Sequence, residues 1–169
     1  DYNNNGNNSI GIHIGGFFSG CTSLSTIEIP DSISLIGDDT FALCSSLENV
    51  TIPDGVMLIG DYAFARCSSL ANITIPNTVC LIGSQAFMSS SVIAGQTGCQ
   101  YVGGWLIGIT NNNITSCEIT EGTKGIAENV FASCQNLESV VIPDSVENIG
   151  YNAFNNTVLY KNQTDSIKY

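Results

Sequence analysis

The chain has 169 residues, 43% of them hydrophobic, enough for one domain with a sizeable interior. Fifteen acids stand against four bases, a formal net charge of −11, which repels phosphate backbones and anionic lipid surfaces and so argues against nucleic-acid binding. No run of about 18 apolar residues is present, so no membrane insertion is expected in this segment.

In chain order, the polar opening DYNNNGNNS leads into SIGIHIGGFFSGC (Ser9 to Cys21). That stretch reads as the second half of a repeat with a one-residue slip around His13, an irregular first turn over 1–23. Three copies of a 23-residue unit follow directly: LSTIEIPDSISLIGDDTFALCSS from Leu24, LENVTIPDGVMLIGDYAFARCSS from Leu47 and LANITIPNTVCLIGSQAFMSSS from Leu70 to Ser91. Residues 92–113 interrupt the series. Within them CQYVGGWLIG carries apolar residues on both sides of Gly103-Gly104 and reads as a β-hairpin. Two further copies start at Ile114 and Leu137 and run to 158, and a tail covers 159–169. The polar ends fit a piece of a longer array.

A fixed period in this range builds a solenoid. Each copy opens LxxIxI, where the last two apolar residues alternate with a polar one, as in a half-buried strand. All four prolines, Pro30, Pro53, Pro76 and Pro143, sit just after it, where a residue without an N–H ends a strand. A VxxIG segment follows, its Ile pointing in and its Gly excluding a side chain, with Ala127 as the exception. A Phe closes each turn: Phe18, Phe41, Phe64, Phe87, Phe131 and Phe154. One unit buries about six apolar side chains at roughly 1.5–3 kcal/mol each, while ordering its residues costs of order 1.5 kcal/mol apiece. Stacking of neighbours must supply the rest. The expectation is a right-handed coil with parallel short strands on one side and turns or brief helical pieces on the other.

Chemistry-bearing residues are few. Cys21, Cys44, Cys67 and Cys134 sit three residues after the repeat Phe, where Ser90 and Thr157 also occur. That exchange marks reduced, buried filler, and Cys117, in an apolar strand slot, should be buried as well. Cys80, in a variable slot, and Cys99, on the insertion, are left open for a bridge of the kind a secreted protein permits. The single His13 and the absence of a CxxC, GxSxG or HExxH motif leave no catalytic residue, metal-ligand set or cofactor to nominate.

The pattern LxxIxIPxSVxxIGxxAFxxCxS, over roughly Leu24 to Ser91 and Ile114 to Phe154, resembles the BspA-type leucine-rich repeat. The resemblance implies an α/β-type repeat solenoid, a right-handed leucine-rich-repeat coil with a concave parallel sheet. It also implies an extracellular or cell-surface adhesion module for a protein or glycan on a host or microbial surface; with no catalytic group to nominate, the module is expected to be non-enzymatic, and a monomer is expected. The strands of such a coil line its concave face. The outward positions Glu28, Glu48, Asn49, Thr51, Asn72, Thr74, Glu118 and Glu138 are therefore the expected contact set. Tyr101 and Trp105 at the insertion tip are a second expectation, weighed against a role in covering the core. The alternative function is a structural spacer in a larger surface protein. Six N-x-S/T sites, at Asn7, Asn49, Asn72, Asn113, Asn155 and Asn162, would carry glycans in a host that uses them.

Overall fold

The computed structural model describes residues 16–161. His13 and the sequons at Asn7 and Asn162 lie outside that range. The strands, in chain order, are β1 (Leu35–Ile36), β2 (Asn49–Thr51), β3 (Leu58–Ile59), β4 (Asn72–Thr74), β5 (Leu81–Ile82), β6 (Cys99–Val102), β7 (Trp105–Ile109), β8 (Ser116–Glu118), β9 (Gly125–Ile126), β10 (Ser139–Val141) and β11 (Asn148–Ile149).

Each turn of the coil has three limbs. The LxxIxI limb supplies β2 and β4, parallel with Asn49 opposite Asn72 and Thr51 opposite Thr74, and β8 and β10 with Ser116 opposite Ser139. The first copy contributes only the single bridge Thr26 to Asn49. The VxxIG limb forms a second parallel ladder, β1-β3-β5, in which Ile36, Ile59 and Ile82 lie in register. Its continuation is a four-stranded sheet of order β11-β9-β7-β6.

The third limb, which carries the Phe, holds turns where brief helices were also allowed for. Its residues come in left-handed pairs four apart: Asp39 and Leu43, Tyr62 and Arg66, Gln85 and Ser89, Asn152 and Asn156. A left-handed residue cannot continue a right-handed helix. Instead the limb hydrogen-bonds to its neighbour, Asp39, Phe41 and Leu43 donating N–H to the carbonyls of Asp61, Ala63 and Ala65. Gly16, Phe18 and Gly20 donate to Asp38, Thr40 and Ala42 in the same register. The described part of the first turn, from residue 16, is therefore regular; the expected slip around His13 lies outside the described residues. Helix is confined, among the described residues, to a 3-10 turn at Ser91–Ile93 and to α1 (Val158–Lys161).

The Phe rings stack as two columns, Phe18 to Phe87 and Phe131 with Phe154, with centroids 5.1–5.5 Å apart. The repeat glycine serves close approach: a Cβ on Gly60 would lie 2.6 Å from Asp38 N and one on Gly83 2.5 Å from Asp61 N. At Ala127 the preceding rung is the hairpin, whose Leu106 carbonyl accepts its N–H as the Ile carbonyls accept those of Gly60, Gly83 and Gly150. The interior divides into two clusters at the interruption, and β7 serves both: Trp105 and Ile107 belong to the first and Leu106 to the second. A strand buried on both faces explains the unbroken WLI run.

Candidate functional site

The outward LxxIxI positions form one surface. Glu28, Glu48, Asn49, Thr51, Asn72, Thr74, Glu118 and Glu138 are all exposed. Main-chain pairing fixes their spacing, with Glu48 N–H donating to Ser25 O and Glu138 N–H to Thr115 O. Asn72 Nδ2 donates to Asn49 Oδ1 at 2.9 Å, the start of an amide ladder. The surface is in two parts, β2 with β4 and β8 with β10, because the insertion falls between them. Lys124 Nζ donates to Asn77 Oδ1 across that interruption.

The insertion is the expected hairpin. Gly103 and Gly104 have φ of +57° and +83°, the double positive φ that a tight two-residue hairpin turn demands. A Cβ on Gly103 would also strike Ile75 at 2.9 Å. Trp105, however, is 1% exposed. It belongs to the core and not to an accessible tip, because its ring lies against Gly125. Tyr101 is half-buried, its hydroxyl accepting from Thr120 N–H at 3.2 Å.

The cysteines divide by partner. Cys44 and Cys67 are buried, and each donates its thiol to the Phe carbonyl of the preceding turn, Phe18 and Phe41, at 3.1 Å. Burial pushes the Cys67 thiol up to about 12, the mark of an inert packing group. Cys134 is buried too. Cys21 departs from the expectation and is exposed. Cys117 is half-buried where full burial was expected, and Cys80 is exposed with its thiol on Met57 O. The open Cys80–Cys99 pairing is replaced by another: Cys99 Sγ lies 3.2 Å from Cys117 Sγ. Hydrogen bonding from Cys117 pulls the Cys99 thiol down to about 7, and the same contact, with burial, pushes Cys117 up. Alkylation of Cys99 should therefore titrate with a midpoint near pH 7, moving upward in Cys117→Ser, as mass spectrometry after timed quenching would read. Oxidation by a disulfide such as oxidised glutathione should join this pair, closing a loop that stabilises by about 3 kcal/mol.

Sequence reasoning missed a cleft of about 900 Å³ where the two Phe columns fail to meet. Its walls include Gln85, Ser89, Glu128, Val130 and Ala132, and Gln96 and Gln100 flank it. Burial foremost, then Asp61 and Asp38, push the Glu128 carboxyl above the ordinary carboxylate range. The signal that locates it is the insertion itself: 22 residues nearly fill one period yet carry no Phe-x-x-Cys half. Among the described residues, no group of three His, Cys, Asp or Glu comes together to hold a metal ion.

Three solved structures resemble the chain. A leucine-rich repeat protein of Bacteroides ovatus is 30% identical, with TM-score 0.49, over 84% of this chain and 31% of its own. A leucine rich cell surface protein of Faecalibacterium prausnitzii is 33% identical, with TM-score 0.46, over 81% of this chain and 40% of its own. The T. pallidum leucine rich repeat protein is 28% identical, with TM-score 0.40, over 78% of this chain and 51% of its own. The chain thus spans between a third and half of their lengths. No curated protein matches it. The family profile described as BspA type leucine rich repeat region matches in six copies over residues 5–99 and 109–168. That match breaks at the hairpin and covers the repeated strand, Ile-Gly and Phe limbs on either side of it. The chain belongs to the BspA-type leucine-rich repeat family.

Proposed function

We propose that this chain is a non-enzymatic binding module of an extracellular or cell-surface protein, holding a protein or glycan of a host or microbial surface on its LxxIxI face. The observation that carries this reading is the exposed polar surface from Glu28 to Glu138, set on a main-chain ladder that fixes its spacing. A rigid, pre-formed surface loses little freedom on binding. Membership of a repeat family with extended surfaces supports it. The sparse chemistry, one histidine and no nucleophile with a base, supports the non-enzymatic part.

The test is capture of partners from extracellular-matrix and epithelial extracts at physiological salt. Wild type is compared with Glu48→Lys/Thr51→Lys/Thr74→Lys, which circular dichroism must show folded. The expected result is a partner captured by wild type and reduced at least about tenfold by the variant. Equal capture by both removes the face from consideration. The spacer reading has one observation in its favour: the surface carries no Trp, Tyr or Arg anchor, and Asn49 and Asn72 already bond to each other. Capture by neither protein would move that reading ahead of the first.

A further inference from the structure

Cys44, Cys67 and Cys80 each donate the thiol to a main-chain carbonyl, of Phe18, Phe41 and Met57. Cys99 and Cys117 instead face each other, Sγ to Sγ at 3.2 Å. They meet where the pairing of the LxxIxI limbs is interrupted. Elsewhere the slot of Cys117 stacks on its own counterpart, with Val50 opposite Ile73. Here β8 pairs with β10 on one side and, among the described residues, with no strand on the other. Side chains of β6 stand on that open side: Cys99 against Cys117, and the Tyr101 hydroxyl accepting from Thr120 N–H. Two side-chain contacts thus take the place of a main-chain ladder. β6 is itself the outermost strand of its sheet, and Cys99 is only half-buried, so a small molecule can reach its sulfur from solvent.

We propose that Cys99 and Cys117 form a thiol–disulfide exchange site, which a small disulfide such as oxidised glutathione converts into a cross-link fastening β6 to the open side of β8. Cys99 is the attacking sulfur. Its contact with Cys117 pulls its thiol down to about 7, which suits attack near neutral pH. It displaces one thiolate from the small disulfide and becomes a mixed disulfide. Cys117 then gives its proton to solvent and attacks Cys99 Sγ, and the second thiolate leaves. The chief cause that pushes the Cys117 thiol up is its contact with the Cys99 thiol, and that contact ends once Cys99 is capped. The protein dithiol loses two electrons and the small disulfide gains them. The two protons given up by the cysteines balance the two taken up by the released thiols. A disulfide is about 2.05 Å long, so the sulfurs have only about 1 Å to close. The cross-link joins two sheets that main-chain pairing leaves separate, the β11-β9-β7-β6 sheet and the β10-β8 half of the LxxIxI surface. Oxidation therefore stiffens that half and leaves the β2-β4 half as it was.

The test treats the whole chain with millimolar oxidised glutathione, quenches with an alkylating agent, and maps the cysteines by proteolysis and mass spectrometry. In wild type the peptides carrying Cys99 and Cys117 should be joined, with glutathione on neither. The exposed Cys80, whose thiol lies on Met57 O, should end as a glutathione adduct and serves as the internal control. Cys117→Ser removes the resolving sulfur, so it should hold glutathione on Cys99 at least about tenfold more than wild type does. Cys99→Ser should leave Cys117 a free thiol. Glutathione retained on Cys99 in wild type would overturn the proposal, as would a bridge from Cys99 to Cys80 or Cys134, or no reaction at Cys99. Wild-type mapping decides these outcomes even where a serine variant fails to fold. Amide hydrogen exchange then reads the clasp. Glu138 and Ser139, which donate to Thr115 O, and Ile119, which donates to Val141 O, should slow at least about tenfold on oxidation. Glu48 and Ile52, in the other half, should stay within about twofold. Equal slowing of both halves, or of neither, would mean that the bond fastens nothing locally and would sink that part of the proposal. No reading here uses a partner of the LxxIxI face, so failure of one proposal does not decide the other.

Discussion

Phe64→Ala should be among the most damaging single substitutions in this chain. Phe64 is 0% exposed and stands mid-column, its ring 5.2 Å from Phe41 and 5.5 Å from Phe87, with planes 18° and 4° apart. Truncating a buried Phe costs about 3–5 kcal/mol. Each lost aromatic pair adds about 0.5–1.5 kcal/mol to simple area burial, which places this site toward the upper end. The cavity cannot easily close, because the main chain on both sides is pinned: Phe64 N–H donates to Ala86 O, and Ala63 O accepts from Phe41. For a chain of this size the loss should lower Tm by roughly 10 °C or more. The control is Phe18→Ala. Phe18 is 39% exposed and, among the described residues, stacks on Phe41 alone, so its loss should be less than half as large. Thermal melts followed by circular dichroism check the pair. A fall below about 3 °C for Phe64→Ala would mean that the column is replaceable packing and that the main-chain ladders carry the stack.

The coil was legible because every slot repeats. Ile29, Ile52, Ile75 and Ile119 in one column, or the Phe column, mark the interior without any appeal to propensity. The third limb was less legible. Leu43, Tyr62, Arg66 and Gln85 give no hint of a left-handed backbone, because only glycine or asparagine advertises one in sequence. The register between limbs forces it: those residues must aim N–H groups at the next turn, and stacking outweighs the local strain. The Cys99–Cys117 contact was hidden for a different reason. Cys117 sits in a strand slot that holds Ile27, Val50, Ile73 and Val140 elsewhere, so it read as filler. Only the path of β6 brings Cys99 beside it.

The cleft and the face differ in the same way. The outward residues of LxxIxI follow from alternation alone, and all eight expected positions are exposed. The cleft is a property of what the insertion lacks. Residues 92–113 restore a strand to the VxxIG ladder through β7 and fill both cores. They supply no substitute for the Phe limb, so the donors of one turn and the acceptors of the next stay apart. A list of present motifs does not reveal an absent rung. Comparing each copy's limbs in three dimensions does.

Trp105→Ala is the second large effect, and its interest lies in its partner. In the VxxIG ladder the residue before the Ile is Leu35, Leu58 and Leu81 in the first three copies, but Gly125 in the fourth. Trp105 pairs with Gly125 in register, and a Cβ there would lie 2.4 Å from the indole ring. The glycine makes room for the tryptophan. Removing the ring should cost about 3–5 kcal/mol, since Trp105 closes the end of the first core. Restoring the repeat's own leucine, Gly125→Leu, should also destabilise wild type, against what the other copies suggest, by expelling the indole. The two substitutions together should cost clearly less than their sum, because the leucine refills space the indole has left. A coupling of at least about 1 kcal/mol is expected from a double-mutant cycle on contacting residues, measured by urea unfolding with circular dichroism as the probe. Additive losses would mean that hairpin and coil are stabilised independently. A strong coupling would establish the hairpin as an integral rung of the coil, welded into it through one glycine.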